Sequence, residues 1–167
     1  MFFEAPWDKL LKTITYAVVT FLILETIVIA VALFLTASQT TALLITCLIV
    51  LCNIVIIVFS YLFAPQGFLI EQSGITVVRK VAPVLIEIGK IHNVSCIERD
   101  RFMKSTRTFG NGGLFGYYGA FRNKELGSFQ LYGTHRNYGV LVEADKNYVL
   151  TPDRPDEFVE VVRSYLS

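Results

Sequence analysis

The spacing of apolar positions along the chain changes once, near Ala64. Before that point apolar residues run almost without interruption. Residues 10–35 read LLKTITYAVVTFLILETIVIAVALFL and residues 40–63 read TTALLITCLIVLCNIVIIVFSYLF, each longer than the ~20 residues a helix needs to cross bilayer hydrocarbon. Thr36, Ala37, Ser38 and Gln39 between them are uncharged and leave room only for a tight hairpin. The pattern predicts two antiparallel transmembrane helices in contact, with both termini on one side. A cleavable signal peptide would need a shorter apolar core, a basic start and a small-residue cleavage site, so the first segment is expected to be retained.

After Ala64 and Pro65 the period shortens to alternation, broken at regular intervals by turn residues. GFLIEQ and ITVVRK meet at Ser73-Gly74, VLIEI follows Pro83, NVSCIERD alternates, and GAFRN, GSFQLYGT, YGVLVEA and NYVLT follow, with Asp145-Lys146 as a hairpin tip. Short strands at this spacing predict an antiparallel sandwich or barrel of about seven strands. From Pro155 the period becomes helical: Phe158, Val159, Val162 and Leu166 share a face, and Asp153, Asp156 and Glu157 provide start signals. The expected fold is therefore an α-helical transmembrane hairpin (residues 1–63) plus a mostly-β domain (residues 64–167) closed by a C-terminal helix, an arrangement that resembles the pleckstrin-homology layout.

The same region carries a family resemblance. TFGNGGLFGYY from Thr108, then GAFRNKELGSFQLYGT, then YVLTPDRPDEFV resemble the bacterial pleckstrin-homology-like (PH-like) domains found behind transmembrane hairpins. The match covers residues 67–166, and its most specific part runs from Gly112 through Leu114, Phe115, Tyr117 and Tyr118 to Gly119, with Thr151-Pro152 as a second marker. The resemblance implies a fold and a membrane-anchored setting. It brings no catalytic residues with it.

Charge then orients the hairpin. Lys9 and Lys12 precede the first span, the tip has no cation, and Arg79, Lys80 and Lys90 follow the second. The positive-inside rule puts both termini in the cytoplasm, giving a multi-pass protein of the cell inner membrane or plasma membrane. Trp7 and Tyr61 suit interfacial anchors. Glu25 is the ionisable residue deep in a span, and such groups default to a functional reading because they are costly in lipid. The competing structural reading pairs a protonated Glu25 with Asn53 across the hairpin. With two spans per chain, any conduction path needs an oligomer, so homo-oligomerisation stays open.

Overall the chain has 15 Lys and Arg against 14 Asp and Glu. That balance gives no case for nucleic acid, which calls for a strongly basic stripe. Cys47, Cys52 and Cys96 are too scattered for a disulfide framework and are expected as free thiols in a reducing compartment. The glycine-rich stretch at 108–119 lacks the Lys-Ser/Thr of a phosphate loop, and Phe115 stands where a dinucleotide fingerprint needs its third glycine. Its glycines instead permit positive φ, and its aromatic residues either complete the core or project as a contact surface. Arg101, Lys104, Arg107 and Arg122 flank it and form a local basic patch if the hairpin closes, of a kind that attracts anionic lipid.

His92 and Cys96 share a strand face without further ligands, a poor zinc site. His135 reads as an exposed turn residue. No nucleophile and base occur at a recognisable spacing, so no enzyme, cofactor or metal is expected. The sequence reading is a membrane-anchored binding or scaffolding module that contacts a protein partner or a lipid headgroup through Arg101, Lys104, Arg107, Phe115, Tyr117, Tyr118 and Arg122. The alternative is an accessory subunit of a membrane transport or envelope complex, working through its spans.

Overall fold

The computed structural model describes residues 1–166. Helix α1, Lys9–Thr36, begins where the Asp8 carboxylate accepts a hydrogen bond from the Leu11 amide at 2.7 Å. Helix α2, Gln39–Leu62, is capped by Ser38, whose hydroxyl accepts from the Thr41 amide at 3.3 Å. Both caps satisfy amides that lack an intrahelical acceptor. Only Ala37 and Ser38 separate the helices, and each helix is long and apolar enough to cross a membrane.

The polar link inside this hairpin differs from the expected Glu25–Asn53 pair. The Asn53 amide donates to Thr26 Oγ1 at 3.0 Å and to the Leu22 carbonyl at 3.4 Å. One residue along a helix is a turn of about 100°, so Thr26 faces α2 where Glu25 lies to the flank. Glu25 is half-buried and makes no hydrogen bond or ion pair among the described residues.

The β region has ten strands in two sheets that do not close into a barrel. The first sheet runs β1 (Phe2–Glu4), β2 (Pro65–Glu71), β3 (Gly74–Arg79), β4 (Val84–Glu87). The second comprises β5 (Asn93–Glu98), β6 (Thr106–Gly112), β7 (Tyr117–Asn123), β8 (Gly127–Gly133), β9 (Tyr138–Glu143) and β10 (Asn147–Leu150), in the order β5-β9-β10-β8-β7-β6. All pairings are antiparallel except β10 with β8, which is parallel because β10 folds back from β9 into the space beside β8. Two short helices complete the chain, α3 (Arg99–Met103) between β5 and β6, and α4 (Pro155–Leu166) at the end.

The ten strands exceed the expected count of about seven: eight fall on the segments read as strands, and two are additions. β6 forms from residues read as part of a glycine-rich loop, and β1 forms from the segment ahead of the hairpin. Phe3 pairs with Phe68, so the N-terminal segment belongs to the β domain although the two long helices intervene. Its ring is fully buried against Phe158 of α4 at 5.0 Å, and Phe68 meets the same ring at 6.1 Å. These three aromatics tie the chain's start, the first sheet and the last helix into one core. Burying three phenylalanines is worth several kcal/mol on the usual area scale, which fixes where the hairpin emerges.

A second core lies on the other face of the larger sheet, built from Phe129, Leu131, Leu141 and Val149 and covered by Phe102 of α3 and Leu11 of α1. Leu11 is 0% exposed. The first turn of α1 is thus a core element of the β domain.

Candidate functional site at the hairpin and sheet junction

β6 and β7 form a two-stranded ribbon whose register runs from Thr106 opposite Arg122 to Gly112 opposite Tyr117. Midway, Gly110 faces Gly119, both at positive φ, and a Cβ on either would sit 2.2–2.3 Å from a carbonyl oxygen of the other strand. The backbones approach this closely because both residues lack a side chain.

The loop at one end of the ribbon, residues 112–116, is fastened to the hairpin. Asn111 Oδ1 accepts from the amides of Gly113 and Leu114 at 3.0 and 2.9 Å and so shapes the turn. Thr15 of α1, 4% exposed, donates through Oγ1 to the Gly113 carbonyl at 3.2 Å and accepts from the Phe115 amide at 3.1 Å. Phe115 is held at φ 63°, unusual for a bulky residue. Its ring lies between Trp7 at 5.9 Å and Tyr61 at 5.4 Å. Tyr118 Oη donates to the Ser60 carbonyl of α2 at 2.9 Å.

Tyr117 is 3% exposed, under the Arg136 guanidinium at 4.2 Å, and burial pushes its phenol above the ordinary pKa. Phe115, Tyr117 and Tyr118, expected as contact residues for a partner, therefore make their contacts inside the protein. The rings of Phe115 and Tyr117 are covered by Trp7, Tyr61 and Arg136, and the Tyr118 hydroxyl is bonded to Ser60, all residues too distant in the chain for spacing to reveal. The buried Tyr117 hydroxyl has no hydrogen-bond partner of good geometry among the described residues.

The basic residues divide. Arg101, Lys104 and Arg122, with Lys124, line an open, charged depression of about 790 Å³ at the far end of the ribbon. Arg122 is five positions along β7 from Tyr117, roughly 16 Å at strand rise. Arg101 pairs with Glu125 at 3.2 Å and Lys104 with Asp100 at 3.6 Å, all four side chains well exposed. The expected single surface of cations and aromatics is thus split, because β6 is extended and carries its ends apart.

Arg107 belongs to neither the loop nor that depression. With Arg79 it lines a groove of about 630 Å³ between α2 and the sheet, walled by Ile56, Phe59, Phe63 and Tyr132. The Arg79 guanidinium lies between the rings of Phe63 and Tyr132, at 5.5 and 5.7 Å, donates to the Ala82 carbonyl, and keeps a buried Nε without an acceptor.

This architecture, two sheets with a C-terminal helix packed on them, stands over residues 66–166, and the sequence model of the family described as Bacterial PH domain matches that same stretch. The chain belongs to the bacterial PH domain family. No curated protein and no solved structure matches it. In this PH domain the family match begins just after the second long helix, yet β1, Leu11 and Thr15 from outside the matched stretch complete its sheet, its second core and its loop.

His135 is a further departure. Expected as exposed, it is 4% exposed, its ring 4.4 Å from that of Tyr138. Neither ring nitrogen makes a hydrogen bond of good geometry. Burial lowers its pKa, and the Pro152 carbonyl and the Asp8 carboxylate offset this only in part. His92 is exposed at the edge strand, and Cys96 donates to Asp156 at 3.4 Å. Among the described residues no three His, Cys, Asp or Glu side chains converge.

Proposed function

We propose that this protein is a non-catalytic, membrane-anchored binding module that presents its PH domain at the cytoplasmic face of the membrane, both termini inside, to a protein partner or a lipid headgroup. The observation that carries the reading is the fastening of the domain to the hairpin. At the base of two long apolar helices Thr15, Trp7 and Tyr61 engage the loop of the β6–β7 ribbon, and Ser60 engages Tyr118 on β7 beside it. A domain meant only to be tethered would need a linker, whereas this one has a set orientation relative to any bilayer its helices cross. Orientation fixes which surface meets lipid and which meets other molecules. The charged depression around Arg101, Lys104 and Arg122 points away from the hairpin and suits an acidic protein surface.

The test is recovery of the full-length protein from its native membranes in mild detergent, with identification of co-purifying proteins and retained lipids. The reading expects a stoichiometric protein or a selected lipid class. Recovery of neither would sink it.

The accessory-subunit reading is favoured by one observation, Glu25, which stands half-buried and unpaired on the flank of α1. An ionisable group within hydrocarbon usually faces a partner or a pathway. Glu25→Gln would then release a co-purifying membrane protein while the PH domain keeps its melting transition. Unchanged recovery removes this alternative.

A further inference from the structure

We infer that the groove between α2 and the sheet is a binding site for one anionic glycerophospholipid, its phosphate held by Arg79 and Arg107 and an acyl chain laid along Ile56, Phe59 and Phe63. The inference rests on the membrane-anchored reading and names a ligand for a surface distinct from the distal depression.

Three features of the groove converge on that chemistry. Its lining carries two arginines and no carboxylate. Neither guanidinium is in an ion pair among the described residues, and the buried Nε of Arg79 lacks an acceptor. A buried N–H without a partner costs about 1–3 kcal/mol, and a phosphate oxygen would supply both the acceptor and the countercharge. Arg107 lies across Gly112, where any Cβ would meet its Nη1 at 2.5 Å. The bare backbone there leaves room for the guanidinium of Arg107, a residue that lines the groove.

The second feature is depth. Hydrocarbon takes about 20 helical residues, and counting back from the tip at Ala37-Ser38 that length ends near Tyr16 on α1 and Phe59 on α2. Ile56 and Phe59 then stand at the inner edge of the acyl region and Phe63 just beyond it. The arginines, one wall away, fall at the level of lipid phosphates. A free soluble anion would have no use for this apolar wall.

The third feature is the shape of the opening. Phe109, 80% exposed on β6, borders the groove. An unshielded phenylalanine at that depth is at home at the boundary between headgroups and acyl chains, where apolar faces carrying Trp, Phe or Leu bury.

Native mass spectrometry of the full-length protein, titrated with phosphatidylglycerol or phosphatidylcholine in detergent, tests the site. One phosphatidylglycerol should bind at least about tenfold more tightly than phosphatidylcholine. Arg107→Gln should weaken it about fivefold, the worth of roughly 1 kcal/mol per cation near a lipid surface. Because Arg79 also packs between two rings, its replacement risks the fold. Gln130→Glu, which places a carboxylate on the groove wall without removing a packed group, should weaken binding comparably, and Arg101→Gln with Lys104→Gln should leave it unchanged.

Equal affinity for the two lipids, or wild-type affinity in both Arg107→Gln and Gln130→Glu, overturns the assignment. Complete displacement by millimolar inorganic phosphate overturns it in favour of a soluble anion. A protein partner that still co-purifies in any of these cases leaves the module reading standing, so the two failures are distinguishable.

Discussion

The two ends of the β6–β7 ribbon are built from one continuous hairpin yet obey opposite rules. At the hairpin end the residues are glycine and aromatic, and the backbone groups of Gly113 and Phe115 are bonded to a helix hydroxyl 98 and 100 positions away in sequence. At the far end the residues are charged, solvent-exposed and paired with close neighbours in space, as Arg101 is with Glu125. The first end is over-determined and the second is nearly free energetically. Substitutions at the first should act on the fold, and substitutions at the second on whatever binds there.

The sharpest way to break the contrast is to spoil the close approach that lets the ribbon reach the hairpin. Gly119→Ala puts a Cβ 2.3 Å from the Phe109 carbonyl oxygen at a φ of 123°. Backbone strain of about 1–2 kcal/mol adds to an overpacking cost of about 1–3 kcal/mol, so roughly 3 kcal/mol of stability should go. Thermal unfolding of the purified full-length protein would register this as a large drop in Tm, and an unchanged Tm would refute the crossing geometry.

Thr15→Val is a milder cut at the same end. It keeps the shape of the side chain but leaves the Gly113 carbonyl and the Phe115 amide without their partner, each an unsatisfied buried group worth about 1–3 kcal/mol. A loss of about 2 kcal/mol is expected, with faster amide exchange at 113–116 and little change at 122–128. Uniformly faster exchange would mean that Thr15 supports the whole domain and not its fastening.

What the sequence makes visible follows from how local each signal is. The long helices, eight of the strands, the Asp145-Lys146 turn and α4 all announce themselves through periodicity within a dozen residues. β1 does not, since Phe2–Glu4 is too short to show a period and pairs with a strand on the far side of two long helices. β6 was masked by its glycines, which signal loops in general but here allow two strands to cross closely. The candidate cations and aromatics were all identifiable by type, and their division into separate surfaces was not, because it depends on where an extended strand carries each end. Arg79 carries no local signal as a ligand group, since its partners, Phe63 and Tyr132, only meet it in the folded chain.

A proton sharpens the comparison further. His135 lies close to the start of α1, its ring buried against Tyr138 with Asp8 and the Pro152 carbonyl as its polar surroundings and the Arg136 guanidinium next in sequence. Burial holds its folded pKa below the usual 6.5, so the unfolded chain binds the proton more readily than the folded one. Stability contributed by the neutral imidazole is present above pH 6.5 and is lost as pH falls from there through the folded pKa. The Tm should decline by a few degrees between pH 7 and pH 5, and His135→Gln should flatten that decline. An equal slope in the variant would place the acid sensitivity in carboxylates elsewhere.

The smallest effect on the fold is expected at the distal end, where it is also the most informative. Arg101, Lys104 and Arg122 are exposed, and exposed ion pairs such as Arg101–Glu125 and Lys104–Asp100 contribute about 0–1 kcal/mol each after solvent screening. Replacing all three cations by glutamine should shift stability by about 1 kcal/mol or less, toward the low end of what two exposed pairs contribute, since the freed Glu125 and Asp100 remain in water. Recovery of an acidic protein partner from native membranes should fall severalfold, and more steeply at low ionic strength, where charge attraction reaches farther. A triple variant that melts normally and still recovers its partner would show that the open charged end is solvated surface. The binding work would then fall to the groove beside α2, where Arg79 and Arg107 face no carboxylate and the apolar wall continues into the long helix.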